Sequence, residues 1–156
     1  MFLHRILVPT DFSWRSRRAL AWATAFAGDR IPIDVLHVAP PSSRARLLLD
    51  AYLDRPLPAE SPADHADAEQ QLSLFVANSH GAARLCPLVE RGDAAATIVR
   101  IAVERGADLI VMGTHARTGA VEALLGSVAH RVITCAPCPV ITLRGNEPSL
   151  ELRAHQ

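Results

Sequence analysis

Five strand signals punctuate the chain, at Arg5 to Pro9, Ile33 to Val38, Arg84 to Glu90, Leu109 to Met112 and Val140 to Leu143, and a helical pattern follows each but the last. The helices are read from the spacing of apolar positions and from their caps. Ser13 stands where an N-cap belongs, and the helix after it, running to about Ala27, places Leu20, Ala23 and Phe26 on a buried face. Pro40 to about Pro62 is loop-like, with five prolines and a short helical pattern around Arg44 to Leu53. Ser61-Pro62-Ala63-Asp64 resembles a capping box with proline at the first helical position. The helix it opens carries Ala68, Leu72, Phe75 and Val76 on one face and stops near His80-Gly81. Asp93 is positioned to cap a third helix through Arg105, which buries Ile98, Ile101 and Ala102 and meets its stop at Gly106. A fourth spans Ser127 to about Cys135. Strands alternating with helices predict an α/β fold, a parallel sheet covered on both faces.

A chain of 156 residues can bury one core without disulfides or metal, so a single domain over residues 1–145 is expected, with 146–156 as a frayed tail. Hydrophobic residues make up 49% of the chain, yet no apolar run approaches the ~20 residues that a membrane span needs. The first residues run straight into a strand and leave no room for a signal peptide, which predicts a cytoplasmic location. Sixteen basic residues balance sixteen acidic ones and form no stripe, so neither nucleic acid nor a membrane is an expected partner. All sixteen basic residues are Arg. With no Lys in the chain, a Walker-type phosphate lysine, a Schiff-base lysine and a kinase-type lysine are excluded. A phosphate can be held only by backbone N–H groups, hydroxyls or Arg.

The stretch from Gly113 to Ser127 carries the most chemistry. Gly113 leaves the tip of the fourth strand, and Gly126-Ser127 opens the fourth helix. A glycine lets a ligand come close to the backbone, and a helix N-terminus offers N–H groups at the positive end of its dipole. Those are two parts of a phosphate site, although a flexible loop with no ligand uses the same residues. In open parallel sheets, ligands lie beyond the carboxyl ends of the strands, where the strand order reverses. Pro9-Thr10-Asp11 at the end of the first strand and Met112-Gly113 at the end of the fourth are then neighbours, which favours the ligand. Asp11 is also a common turn or cap residue, and both roles stand.

Val8-Pro9-Thr10-Asp11-Phe12-Ser13, Leu36-His37-Val38, the Gly113 to Ser127 loop and Ala136-Pro137-Cys138-Pro139-Val140, in order from about residue 3 to residue 144, together resemble the universal stress protein family. The resemblance implies a flavodoxin-like, Rossmann-like three-layer sandwich with strand order 3-2-1-4-5. It also implies a homodimer that binds ATP or another adenine nucleotide, with or without Mg, without strong enzymatic activity. Carried over residue by residue, it implies that Asp11 faces the adenosine and its ribose. The Val38 backbone then meets the adenine edge, and Gly113 and residue 116 pass under the ribose and first phosphates. Gly126, Ser127 and Val128 meet the terminal phosphates through their N–H groups. Pro9, Thr10 and Met112 complete the strand ends around the site, while His115 and Arg117 either touch phosphate or stay in solvent.

The ATP-binding branch has Gly, two residues, Gly, nine residues, then Gly-Ser or Gly-Thr; this chain has Ala116 at the middle glycine. A backbone that needs positive φ there would carry roughly 1 kcal/mol of strain, and one that does not would only be crowded by the methyl. Gly119 lies three residues on and does not restore the spacing. Ala116 therefore bears on affinity more than on location.

The remaining signals carry less. Cys135-Ala136-Pro137-Cys138 has redox spacing, but Cys135 falls at a helix C-terminus, the wrong end of the dipole for a reactive thiol. With Cys86 the one other cysteine, no four-ligand zinc set is visible. The seven His form no His-x-x-x-His pair and there is no Gly-x-Ser-x-Gly elbow, so no catalytic or metal residue is expected. Three functions stay in play: a nucleotide-binding stress or regulatory module, a dimeric interaction protein that has lost ATP binding through Ala116, and a weak ATPase. The last has only His115 or Asp11 as a general base. The fifth strand has no Lys and carries Pro139 only at its start, which leaves an edge for antiparallel pairing with a second copy. The competing cover for that edge is the tail, Glu147 to Gln156.

Overall fold

A computed structural model describes residues 3–40, 62–79, 83–114 and 126–144. Along the chain lie β1 (Ile6–Thr10), α1 (Trp14–Ala27), β2 (Ile33–Ala39), α2 (Pro62–Ala77), β3 (Leu85–Arg91), α3 (Ala94–Arg105), β4 (Leu109–Thr114), α4 (Ser127–Cys135) and β5 (Val140–Arg144). Every strand pair is parallel and the sheet runs β3-β2-β1-β4-β5, the flavodoxin-like order. β4 continues past its apolar run because Gly113 and Thr114 still pair with Leu143 and Arg144 of β5. The helical pattern at 44–53, the capping box at Ser61 and the stop at His80-Gly81 lie outside the described residues.

Alternation along the strands builds two cores. Ile6, Val8, Val35 and Val111 turn to one face, where α1 and α2 bring Leu20, Ala23, Leu72 and Phe75. Leu7, Leu36, Ile110 and Met112 turn to the other, against Ile98, Ile101 and Ala102 of α3 and Ala129 and Val132 of α4. Each fully buried Leu or Ile contributes about 1.5–3 kcal/mol. One expectation fails on α1. Phe26 is 51% exposed, and its ring stacks on Trp22 at 5.2 Å. The buried stripe follows Leu20, Ala23, Thr24 and Ala27, so Ala27 takes the inward position and Phe26 turns out.

Charge locks the amino end of the sheet. Asp34 of β2 is fully buried, and both of its oxygens accept hydrogen bonds. Arg5 donates from before β1 at 2.9 and 3.1 Å, and Arg105 at the end of α3 donates at 3.0 and 3.2 Å. A buried carboxylate is tolerable only when its lone pairs are filled in this way. Beside it, the Asp108 carboxylate accepts the N–H groups of His4 (2.7 Å) and Arg5 (3.1 Å), joining the approach to β1 to the approach to β4. Those donors, His4 first, hold the Asp108 carboxyl below its ordinary pKa.

At the opposite end, α1 lies very close to β4. A Cβ on Gly113 would sit 2.7 Å from the Arg15 carbonyl carbon and 2.8 Å from its oxygen. The close approach of the Arg15 backbone is by itself a reason for glycine here, beside the one read from the loop pattern.

Two outcomes follow from this packing. Gly113→Ala should lower the stability to guanidinium by about 1–3 kcal/mol, the usual cost of overpacking; a midpoint equal to the parent's would refute the close approach. Asp108→Asn should be less stable than the parent at neutral pH. Because the folded pKa lies below the ordinary 3.8, Asp108 stabilises the fold above that value and the contribution is lost as pH falls through the folded pKa. The gap in Tm between parent and variant should therefore close on acidification below about pH 4. A gap independent of pH would contradict the assignment.

Candidate functional site

The site begins with a missing hydrogen bond. The β1–β4 ladder holds only the pairs Ile6–Leu109 and Leu7–Ile110. The Ile6 N–H donates to Pro32 on the β2 side at 3.1 Å. Successive residues of a strand turn their N–H groups to opposite sides, so Leu7 and residue 9 face β4. Residue 9 is proline and has no N–H to donate. Toward β2, by contrast, β1 keeps register as far as Thr10–His37. The strands stop pairing at the place where the order of the sheet reverses, and a cleft of about 620 Å³ lies there, at their carboxyl ends.

The turn from β1 into α1 satisfies itself. Asp11 Oδ1 accepts the Ser13 N–H at 3.0 Å, and Thr10 Oγ1 accepts the Phe12 N–H at 3.0 Å. Ser13 caps α1 by accepting the Ser16 N–H, and the Thr10 and Ser16 hydroxyls share a 2.9 Å hydrogen bond. Phe12 is held at φ 62°, a left-handed conformation that costs a non-glycine residue roughly 1–2 kcal/mol. Its ring stacks on His37 at 4.2 Å, and the His37 Nδ1–H donates to the Thr10 carbonyl at 3.0 Å. Asp11 is thus a turn residue and a cleft residue at once.

β2 overruns β1. Val38 and Ala39 pair with Glu90 and Arg91 of β3 but lie beyond the last β1 rung. The Thr10–His37 rung takes the Val38 N–H, and among the described residues the Val38 carbonyl has no strand partner on the β1 side.

The helices that open onto this end differ in one respect. α3 is capped by Asp93, whose Oδ1 accepts the Ala96 N–H at 3.0 Å. The other Asp93 oxygen accepts from Arg131 of α4 at 2.8 Å, and that ion pair raises the Arg131 pKa. α4 has Gly126 at its N-cap and no side-chain cap among the described residues, so there its first N–H groups keep the donor capacity that Ser13 and Asp93 use up elsewhere.

Pro9, Thr10 and Asp11 of the β1 end, Val38 of β2, Met112 and Gly113 of β4, and Gly126, Ser127 and Val128 of α4 all border this one cleft. His115, Ala116 and Arg117 lie outside the described residues. Sequence reading missed His37 and Arg15, which also border it. His37 stood inside a quoted motif, and Arg15 was signalled only by the absence of Lys. Cys135 is exposed at the end of α4, and burial, with the Asp108 charge second, pushes the Cys138 thiol up. Among the described residues no three His, Cys, Asp or Glu side chains group to hold a metal, and no helix is long and apolar enough to cross a membrane.

The chain is 34% identical over 143 residues to a universal stress protein of Thermus aquaticus, from the QAH/OAS sulfhydrylase 3′ region, covering 89% of this chain and 97% of that protein. A 47-residue stretch is 55% identical to universal stress protein MJ0531 of Methanocaldococcus jannaschii, spanning 30% of this chain and only 28% of that relative. Among solved structures, protein MJ0577 of the same organism superposes with a TM-score of 0.70 at 25% identity, covering 94% of this chain and 99% of that one. The universal stress protein of Archaeoglobus fulgidus in complex with dAMP superposes at 0.58 with 28% identity, covering 91% and 98%. The family model for universal stress proteins matches residues 3–144, which spans the whole described sheet and its helices, and the chain belongs to the universal stress protein family.

Proposed function

We propose that this protein binds an adenine nucleotide, ATP foremost and with or without Mg, in the cleft between β1 and β4, and serves as a regulatory module rather than a catalyst. The observation that carries the reading is the uncapped N-terminus of α4, bordering a cleft at the reversal point of the sheet. Backbone N–H groups and a positive dipole end suit phosphate. The overrun of β2 supports the other half of the ligand, because the Val38 carbonyl offers an acceptor that an adenine amino group can use. The dAMP complex of the Archaeoglobus fulgidus relative supports the same ligand class. Two copies join through β5, whose outer edge has no strand partner among the described residues.

Ala116 favours a second reading, a dimeric interaction protein of this fold that has lost the nucleotide. Purified protein, denatured and analysed by mass spectrometry, separates the two. The expected result is a released adenine nucleotide, matched by ATP binding on the order of micromolar in calorimetry. Protein that carries no nucleotide and binds no ATP would overturn the proposal in favour of the interaction protein.

A further inference from the structure

We propose that Arg15 is the cation that meets the phosphates in this cleft and sets its preference for polyphosphate over nucleoside, an inference that rests on the adenine-nucleotide reading above. A nucleoside triphosphate brings several negative charges into the cleft. The α4 N-terminus supplies the equivalent of roughly +0.5 charge, and Asp11 at the same cleft adds a negative one. A full positive charge from a side chain would offset more of that charge, and with no Lys in the chain only Arg supplies a permanent one. Among the described residues bordering the cleft, the basic side chains are His37 and Arg15. His37 lies against the Phe12 ring and donates to the Thr10 carbonyl, so it belongs to the wall.

Arg15 sits in the first turn of α1, and its backbone is pressed into the space that a Gly113 side chain would fill. It borders the cleft together with Gly113 and Thr114 of β4 and Gly126 and Ser127 of α4, and its backbone contact with Gly113 sets it beside the tip of β4. Its guanidinium carbon lies 5.6 Å from the centre of the Trp14 ring, a cation–π distance that limits its wandering. A planar guanidinium forks onto phosphate oxygens through two hydrogen bonds, which an ammonium cannot reproduce.

The test uses three probes on the full chain, adenosine, ATP and inorganic tripolyphosphate, against the parent, Arg15→Met and Arg15→Lys. Calorimetry reads the phosphates and an NMR titration reads adenosine. Arg15→Met keeps the length of the stem; circular dichroism and Tm check that it folds. It should weaken ATP and tripolyphosphate about tenfold or more, the loss typical of a charged hydrogen-bond partner, and leave adenosine within about twofold. Arg15→Lys should recover part of the loss. Equal binding of tripolyphosphate by parent and Arg15→Met, an equal loss for adenosine, or a parent that binds no tripolyphosphate would each overturn the inference. A parent that binds tripolyphosphate through Arg15 but no adenosine would uphold it and sink the adenine reading instead.

Discussion

Pro9 withholds one hydrogen bond from the centre of the sheet, and the architecture of the carboxyl end follows from that loss. Proline in a middle strand is normally excluded because it breaks a ladder. Here the broken rung faces β4, after the Leu7–Ile110 pair, while β1 and β2 remain joined to Thr10–His37. The break coincides with the reversal of strand order, where the crossover connections already diverge to opposite faces. α1 then comes down on β4 at Gly113, and the β1–α1 turn is wound tightly enough to place Phe12 in a left-handed conformation. The stack on His37 and the hydrogen bonds of Thr10 hold that turn in place.

The two ends of the sheet use their polar groups in opposite ways. At the amino end the two carboxylates are paired: Asp34 accepts from two arginines on both oxygens, and Asp108 accepts two backbone N–H groups. At the carboxyl end, donors and acceptors are left over. α1 and α3 close their own N-termini with Ser13 and Asp93, whereas α4 begins with glycine and closes nothing. Val38 runs past its β1 partner. Unused backbone groups beside a cavity are costly unless water or a ligand takes them. The ion pairs and hydrogen bonds of the amino end anchor the strands that carry these groups.

Much of this was legible in the sequence, and the limits have physical causes. The order of elements followed from apolar runs and spacing. Ser13, Asp93 and Gly106 gave themselves away because capping is local chemistry, settled within a few residues. The packing reason for Gly113 was not legible, since its neighbour, Arg15, is separated from it by most of the chain. The same distance hid Asp34: its partners stand 29 and 71 residues away, and no local pattern announces a buried carboxylate. Phe26 was misplaced because a large apolar residue near a buried stripe looks buried until the 100° step per residue is followed to Ala27. Of the nine expected residues that border the cleft, Val38 and Val128 were legible only through the family pattern, whereas the strand ends and Gly126-Ser127 followed from the switch point and the helix terminus.

A ligand held between β1 and β4 at the carboxyl end of the sheet leaves the amino end untouched. An amide-resolved NMR titration with ATP tests it most directly. The account predicts shifts at Thr10, Val38, Gly113, Ser127 and Val128, with Asp34 and Asp108 unmoved. Shifts concentrated around Asp34 and Asp108, or none at the start of α4 when ATP is saturating, would contradict it.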